Sequence, residues 1–172
     1  MNAVVHSFPA AGVSLTELSP GTRLSLRLRA EGRGAAGAAF GLVLPARVGG
    51  VAAGTLWRAL CLGPDEWQID GAAGAVIPAM PAGLPHALVD ISDREVTWRL
   101  EGPRVTELLA IGIARDVRRI ATGAGCRTVF DSAQAVLVRE SETAFTLSVW
   151  RSFAPHVGEL LAIGLRELAS GV

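Results

Sequence analysis

The stretch TRLSLRLRAE, Thr22 to Glu31, alternates Leu24, Leu26 and Leu28 against Arg23, Arg27 and Arg29. A strict period of two predicts a strand with one face buried. GRGAAG (Gly32–Gly37) follows and reads as a flexible connection. FGLVLP then reads as a second short strand ended by Pro45. TLWRALCLGPDEWQID predicts two strands around a turn at Gly63 to Asp65. GAAGAVIPAMPAGLP is rich in Gly and Pro and predicts a loop. HALVDIS, from His86, predicts a buried strand. EVTWRLE alternates Val96, Trp98 and Leu100 against Glu95, Thr97 and Arg99.

Gly102-Pro103 opens a predicted helix, since proline is tolerated at the first helical position. Its apolar stripe is Val105, Leu108, Leu109 and Ile113. Three strand-like runs come next: CRTVFD, QAVLVRE and AFTLSVW. A last helix is predicted from about Pro155 to Leu168, with Val157, Leu160, Leu161, Leu165 and Leu168 on one side. The chain also repeats a phrase. WRLEGPRVTELLAIG begins at Trp98, and WRSFAPHVGELLAIG begins at Trp150. ELLAIG is read as the inner face of both helices. The strands before the helices differ in parity: Trp98 shares a face with Val96 and Leu100, whereas Phe145, Leu147 and Val149 leave Trp150 on the opposite face. A bulge or a different strand exit must separate the copies. Two copies predict a doubled α+β unit and not a solenoid, which needs at least three.

The 172 residues, half of them hydrophobic, fit one domain spanning 1–172 with a substantial core. No apolar run approaches the roughly 20 residues that span a bilayer, so no membrane partner is expected. The first 17 residues lack a cation before their weak apolar segment and do not resemble a signal peptide, which places the chain in the cytoplasm. Sixteen cations balance sixteen anions, so nucleic acid is not an expected partner. Every cation is arginine. The absence of lysine excludes Schiff-base, pyridoxal-phosphate and P-loop chemistry. Cys61 and Cys126 read as separate free thiols that pack as small hydrophobes.

Candidate chemistry is sparse. GRGAAG satisfies G-x-G-x-x-G, but its continuation is interrupted by Gly41 and Pro45, and no acidic residue lies about 20 positions on; a dinucleotide site is not expected. His6, His86 and His156 have no ligand neighbours at metal spacing, so no metal site is expected. No G-x-S-x-G surrounds a serine. Asp90, Ser92, Asp93 and Arg94 form a polar corner between strands, read as a turn that bonds its own backbone. Arg115, Arg118 and Arg119 are offset by Asp116 and read as a solvated or partner-facing loop.

LCLGPDEWQI, LVDISDREVTWRLEGPRVTELLAIG, the strands after Cys126 and VWRSFAPHVGELL together resemble the gamma subunit of heterotetrameric sarcosine oxidase, from about Trp57 to the end. That family is similar to the folate-binding domain of the glycine-cleavage aminomethyltransferase, which implies a doubled ferredoxin-like α+β fold. The resemblance implies a subunit, without catalytic, cofactor or metal residues of its own, that packs against the alpha subunit. The complex would demethylate sarcosine oxidatively to glycine, passing the one-carbon unit to tetrahydrofolate and forming hydrogen peroxide. FAD, FMN, NAD and tetrahydrofolate are then implied for the partner subunits. Two departures from the folate enzymes fit this reading. The hairpin VFDSAQAVLVRE carries only Asp131 where they have paired aspartates, and Ser92-Asp93-Arg94 replaces Ser-His-Arg. The rivals are a stand-alone folate-binding or aminomethyltransferase-like protein, and the equivalent subunit of another N-methyl amino-acid oxidase or dehydrogenase. The expected partner contacts are Arg94, Arg115, Arg118, Arg119 and Arg151.

Overall fold

A computed structural model describes residues 5–8 and 11–171 of the chain. In chain order the strands are β1 (Val5–Phe8), β2 (Val13–Glu17), β3 (Thr22–Leu28), β4 (Val51–Ala53), β5 (Trp57–Gly63), β6 (Glu66–Gly71), β7 (His86–Asp90), β8 (Glu95–Glu101), β9 (Gly125–Phe130), β10 (Ala133–Arg139) and β11 (Ala144–Trp150). The helices are α1 (Arg33–Ala39), α2 (Val105–Ala110) and α3 (Ala154–Ser170). Two compact units result: Met1–Ser19 with Asp93–Val172, and Pro20–Ser92. Each holds one antiparallel sheet, ordered β1-β2-β8-β11-β10-β9 in the first and β4-β5-β6-β3-β7 in the second. The α+β expectation is met.

In the first unit the repeated phrase falls on neighbouring strands. β8 pairs antiparallel with β11 so that Leu100 faces Phe145, Trp98 faces Leu147 and Val96 faces Val149. The parity difference therefore puts both apolar sets on one side of the sheet. It is achieved by strand exit: β8 continues through Glu101, whereas β11 stops at Trp150. Gly102 makes that longer exit possible, because a side chain there would collide with the Gly12 carbonyl oxygen. Leu108, Leu109, Leu161 and Leu165 are all buried in the core that the two helices share with the sheet. Leu160 is only half-buried and packs at its margin. Both ELLAIG glycines are close-approach positions. A methyl at Gly112 would stand 2.5 Å from the Phe130 ring, and one at Gly164 would stand 2.6 Å from Ile111 Cδ1 on the first copy. ELLAIG therefore packs the fold together.

In the second unit β3 buries Thr22, Leu24, Leu26 and Leu28, as its alternation dictates. The β5–β6 hairpin forms as expected and brings Trp57, Ala59, Trp67 and Ile69 into the same core. Three expectations are corrected here. GRGAAG is not a loop: Ala30–Gly32 form a 3-10 turn and α1 runs through the glycines. Alanine favours the helix, and Gly41, at φ 65°, closes it. Gly41 N–H donates to the Ala38 carbonyl and Leu42 N–H to that of Gly37, the paired bonds of a Schellman end. FGLVLP is consequently not a strand; its residues form that helix end and the loop after it. β7 is a strand but an exposed one, because it lies at the sheet edge and pairs with β3 alone among the described residues. The helix does not revive a dinucleotide site. Gly34 and Gly37 lie inside α1, and the flanking strands β3 and β4 are neither neighbours nor parallel.

Candidate functional site

Arg94 and Arg151 meet at one corner of the first unit. Trp150 ends β11 opposite Glu95, so the residue before β8 lies across its ring. Arg94 Cζ stands 4.3 Å from the Trp150 ring centroid, a cation–π contact. Arg151 N–H donates to the Arg94 carbonyl and Arg151 Nε to that of Asp93, each at 2.9 Å. Its Nη2 lies 3.8 Å from the exposed Asp93 carboxylate.

Arg115, Arg118 and Arg119 fall on the segment between α2 and β9. Asp116 caps the 3-10 turn Val117–Arg119 by accepting from Arg118 N–H at 3.1 Å, and from Arg118 Nε at 2.8 Å. The Arg118 hydrogen bond holds the Asp116 carboxyl below the usual carboxylate range. Burial pushes the Cys126 thiol up, and the positive charge of Arg115 opposes that shift. Arg119 is exposed. An open groove of about 440 Å³ runs beside this loop, walled by Thr106, Glu107, Arg115 and Arg118 over Ile113 and Val117. Arg139, not singled out from sequence, fixes the loop from below: its Nη1 donates to the carbonyls of Arg118 at 3.0 Å and Ile120 at 2.9 Å.

The polar corner before β8 is a self-bonded turn, as expected. Asp90 Oδ1 accepts from Ser92 N–H at 2.9 Å and from Ser92 Oγ at 2.5 Å, which holds the Asp90 carboxyl low. Ser92 Oγ in turn accepts from Arg23 N–H at 2.9 Å. His86 begins β7 and its Nδ1 lies 2.7 Å from the Leu84 carbonyl; the His6 side chain lies outside the described residues. His156 has a partner that sequence spacing did not reveal. Its Nε2 lies 2.9 Å from Asp131 Oδ2, joining the first turn of α3 to the tip of the β9–β10 hairpin. Asp131 sits at φ 52° and also accepts from Ser132 Oγ at 3.0 Å. The His156 hydrogen bond is the largest cause that keeps its carboxyl below the ordinary range. Both side chains are about half exposed, so Asp131 is a surface carboxylate at a hairpin tip. Among the described residues no group of three or more His, Cys, Asp or Glu could hold a metal, and both cysteines are free.

The model of the sarcosine oxidase, gamma subunit family matches residues 31–162, which include all five expected arginines, Asp131 and His156. The chain belongs to that family. The sarcosine oxidase subunit gamma of Corynebacterium sp. (strain U-96) is 28% identical over 167 residues, covering 92% of this chain and 82% of that one. A chain of the heterotetrameric sarcosine oxidase from Corynebacterium sp. U-96, solved in complex with pyrrole 2-carboxylate, superposes with a TM-score of 0.85 at 26% identity. That match covers 91% of this chain and 85% of the other. The gamma-subunit family likeness extends, for the fold alone, to the glycine cleavage system aminomethyltransferase T from Bartonella henselae, with a TM-score of 0.64 at 14% identity. It covers 92% of this chain and 53% of that enzyme. No helix among the described residues is long and apolar enough to cross a membrane.

Proposed function

We propose that this chain is a non-catalytic gamma-type subunit of a heterotetrameric sarcosine oxidase that works in the cytoplasm. The observation that carries the reading is the superposition on a chain of such a complex over nearly the whole length. In this reading the larger subunits hold FAD, FMN, NAD and tetrahydrofolate and perform the oxidative demethylation of sarcosine to glycine. The position of Asp131 supports a subunit over a folate enzyme: the carboxylate is at an exposed hairpin tip and already bonded to His156 and Ser132. Arg94, Arg115, Arg118, Arg119 and Arg151 are proposed contacts with carboxylates of the larger subunits. A guanidinium offers five N–H donors, so Arg118 and Arg151 retain donors beyond their bonds within the chain.

Co-expression of the full chain with the large flavoprotein subunits tests the reading. The chain should copurify with them, and the complex should turn over sarcosine. Active oxidase assembled without this chain, together with tetrahydrofolate binding by the chain alone, would replace the reading with a stand-alone folate protein.

A further inference from the structure

Among the described residues, five large hydrophobic side chains are more than half exposed: Val43 (84%), Val48 (55%), Leu56 (70%), Val76 (89%) and Val89 (53%). All five belong to the Pro20–Ser92 unit. A soluble monomer carries scattered exposed aliphatics, but a cluster of them marks a binding surface. Two of the five, Leu56 and Val43, belong to segments that pack together. Gly54 N–H donates to the Trp57 carbonyl at 2.8 Å, closing a turn with Thr55 and Leu56 at its tip. That turn rests on the end of α1: a methyl at Gly54 would stand 2.9 Å from the Gly41 carbonyl oxygen and 3.5 Å from Leu42 Cβ. Val43 follows Leu42 directly.

Val43 also forms one lip of an open groove of about 640 Å³ along α1, floored by Gly34, Ala38 and Leu42 and rimmed by Glu31 and Arg33. Small residues on the helix let a bound segment approach its backbone. Arg33 forms no ion pair among the described residues, which leaves a guanidinium at the rim for a carboxylate from outside. An apolar floor with Glu31 and Arg33 at its rim is the composition of a protein–protein contact.

We infer that the α1 groove, with Val43 and Leu56, is where a larger oxidase subunit docks, through an apolar segment that carries a carboxylate to Arg33. This rests on the subunit reading above and names the surface it uses. The occupant is a different chain of the oxidase, because the matching chain is part of a heterotetramer and Arg33 calls for an acidic partner. The affinity is concentrated here. Arg94, Arg118 and Arg151 are already bonded within their own unit, so they act as accessory contacts.

The test titrates the purified full chain onto the larger subunits expressed without it, and reads the dissociation constant. Val43→Asp with Leu56→Asp should weaken binding by about a hundredfold, and Arg33→Glu alone by about tenfold. Arg166→Ala, at an exposed position of α3, should stay within about threefold of the original chain. Both apolar positions are exposed tips, so the thermal midpoint of the isolated double variant should not move. Original affinity in the double variant and in Arg33→Glu would overturn the surface assignment and leave the subunit reading intact. Self-association of the isolated chain, lost in the double variant while oxidase binding persists, would overturn it in favour of a second copy. Failure of the unaltered chain to bind the larger subunits would overturn the subunit reading, and the docking surface with it.

Discussion

The two units solve the same problem with different means. In the unit that ends with α3, two helices bring six large aliphatic side chains onto one sheet: Val105, Leu108, Leu109, Val157, Leu161 and Leu165. In the unit of residues 20–92 the only α-helix is α1, seven residues of Arg, Gly and Ala, which buries Ala36 and Gly37. The bulk of that core must come from the sheet itself and from the loop after α1, through Trp57, Trp67, Phe40 and Leu44. A helix of small residues gets close to its sheet but covers little of the apolar surface around it. Helices with a full apolar stripe leave less outside. The exposed aliphatics of residues 20–92 thus follow from how that core is built, and such a surface is available for a partner.

Core truncations give the largest expected effects. Trp67→Ala should destabilise by about 3–5 kcal/mol, because the ring is 1% exposed and its Nε1–H donates to the Pro45 carbonyl at 2.8 Å. Leu109→Ala, on the fully buried stripe of α2, should cost about 2–5 kcal/mol. Urea denaturation of each variant measures both. A loss below about 1 kcal/mol at either site would mean that its core is not packed as described.

A pair of glycine substitutions in α1 sharpens the comparison at intermediate size. A methyl at Gly37 would lie 2.6 Å from the Leu42 carbonyl oxygen, a backbone atom held by the helix end. Gly37→Ala should therefore destabilise, by about 1–3 kcal/mol. Nothing lies within 4 Å of the corresponding point at Gly34. Gly34→Ala should stabilise by about 0.5–1 kcal/mol, the helix-interior advantage of alanine. Equal thermal midpoints for the two variants would contradict the close approach at the end of α1.

The smallest effect is electrostatic and belongs to the other unit. Asp131 has a lowered carboxyl pKa, so above the unfolded value, about 4, both states are ionised and its contribution is fully present. As pH falls from there through the lower folded value, the unfolded chain binds the proton first and the contribution is lost. His156→Ala removes the largest cause and should move the Asp131 titration up toward the ordinary value, read by NMR of the carboxyl carbon. An unmoved titration would assign the shift to Ser132.

How well the sequence could be read followed the same division. From Glu95 onward β8, α2, β9, β10, β11 and α3 were all legible, because alternation and a helical apolar stripe are local properties of the chain. In residues 20–92 β3 and the β5–β6 hairpin are equally legible, yet the residues of α1 read as a loop. The continuation, broken by Gly41 and Pro45, reads as β-like, although alanine content and Gly41 at the closing position are helix signals. The short strands β1, β2 and β4 had too few residues to show a period. At the arginine sites, the exposed loop at Arg115–Arg119 was legible from its charge pattern. The stacking of Arg94 on Trp150 and the buttress from Arg139 were not, since each depends on strand pairing between distant segments.

By itself the sequence determined which side of each periodic element is apolar, the absence of lysine, the repeated ELLAIG and the family these motifs belong to. Those properties are written residue by residue and survive without knowledge of neighbours. The tertiary structure decided what lies beside each element. It made β7 an edge instead of a central strand, set Gly112 under Phe130 and Gly164 against Ile111, and brought His156 to Asp131 across 25 residues. It also left Val43 and Leu56 on adjoining segments with their side chains in solvent. A strand's period is the same at the edge of a sheet as in its middle, and a valine reads the same whether a neighbour covers it or not. Only the long-range packing of the chain supplies that neighbour or withholds it.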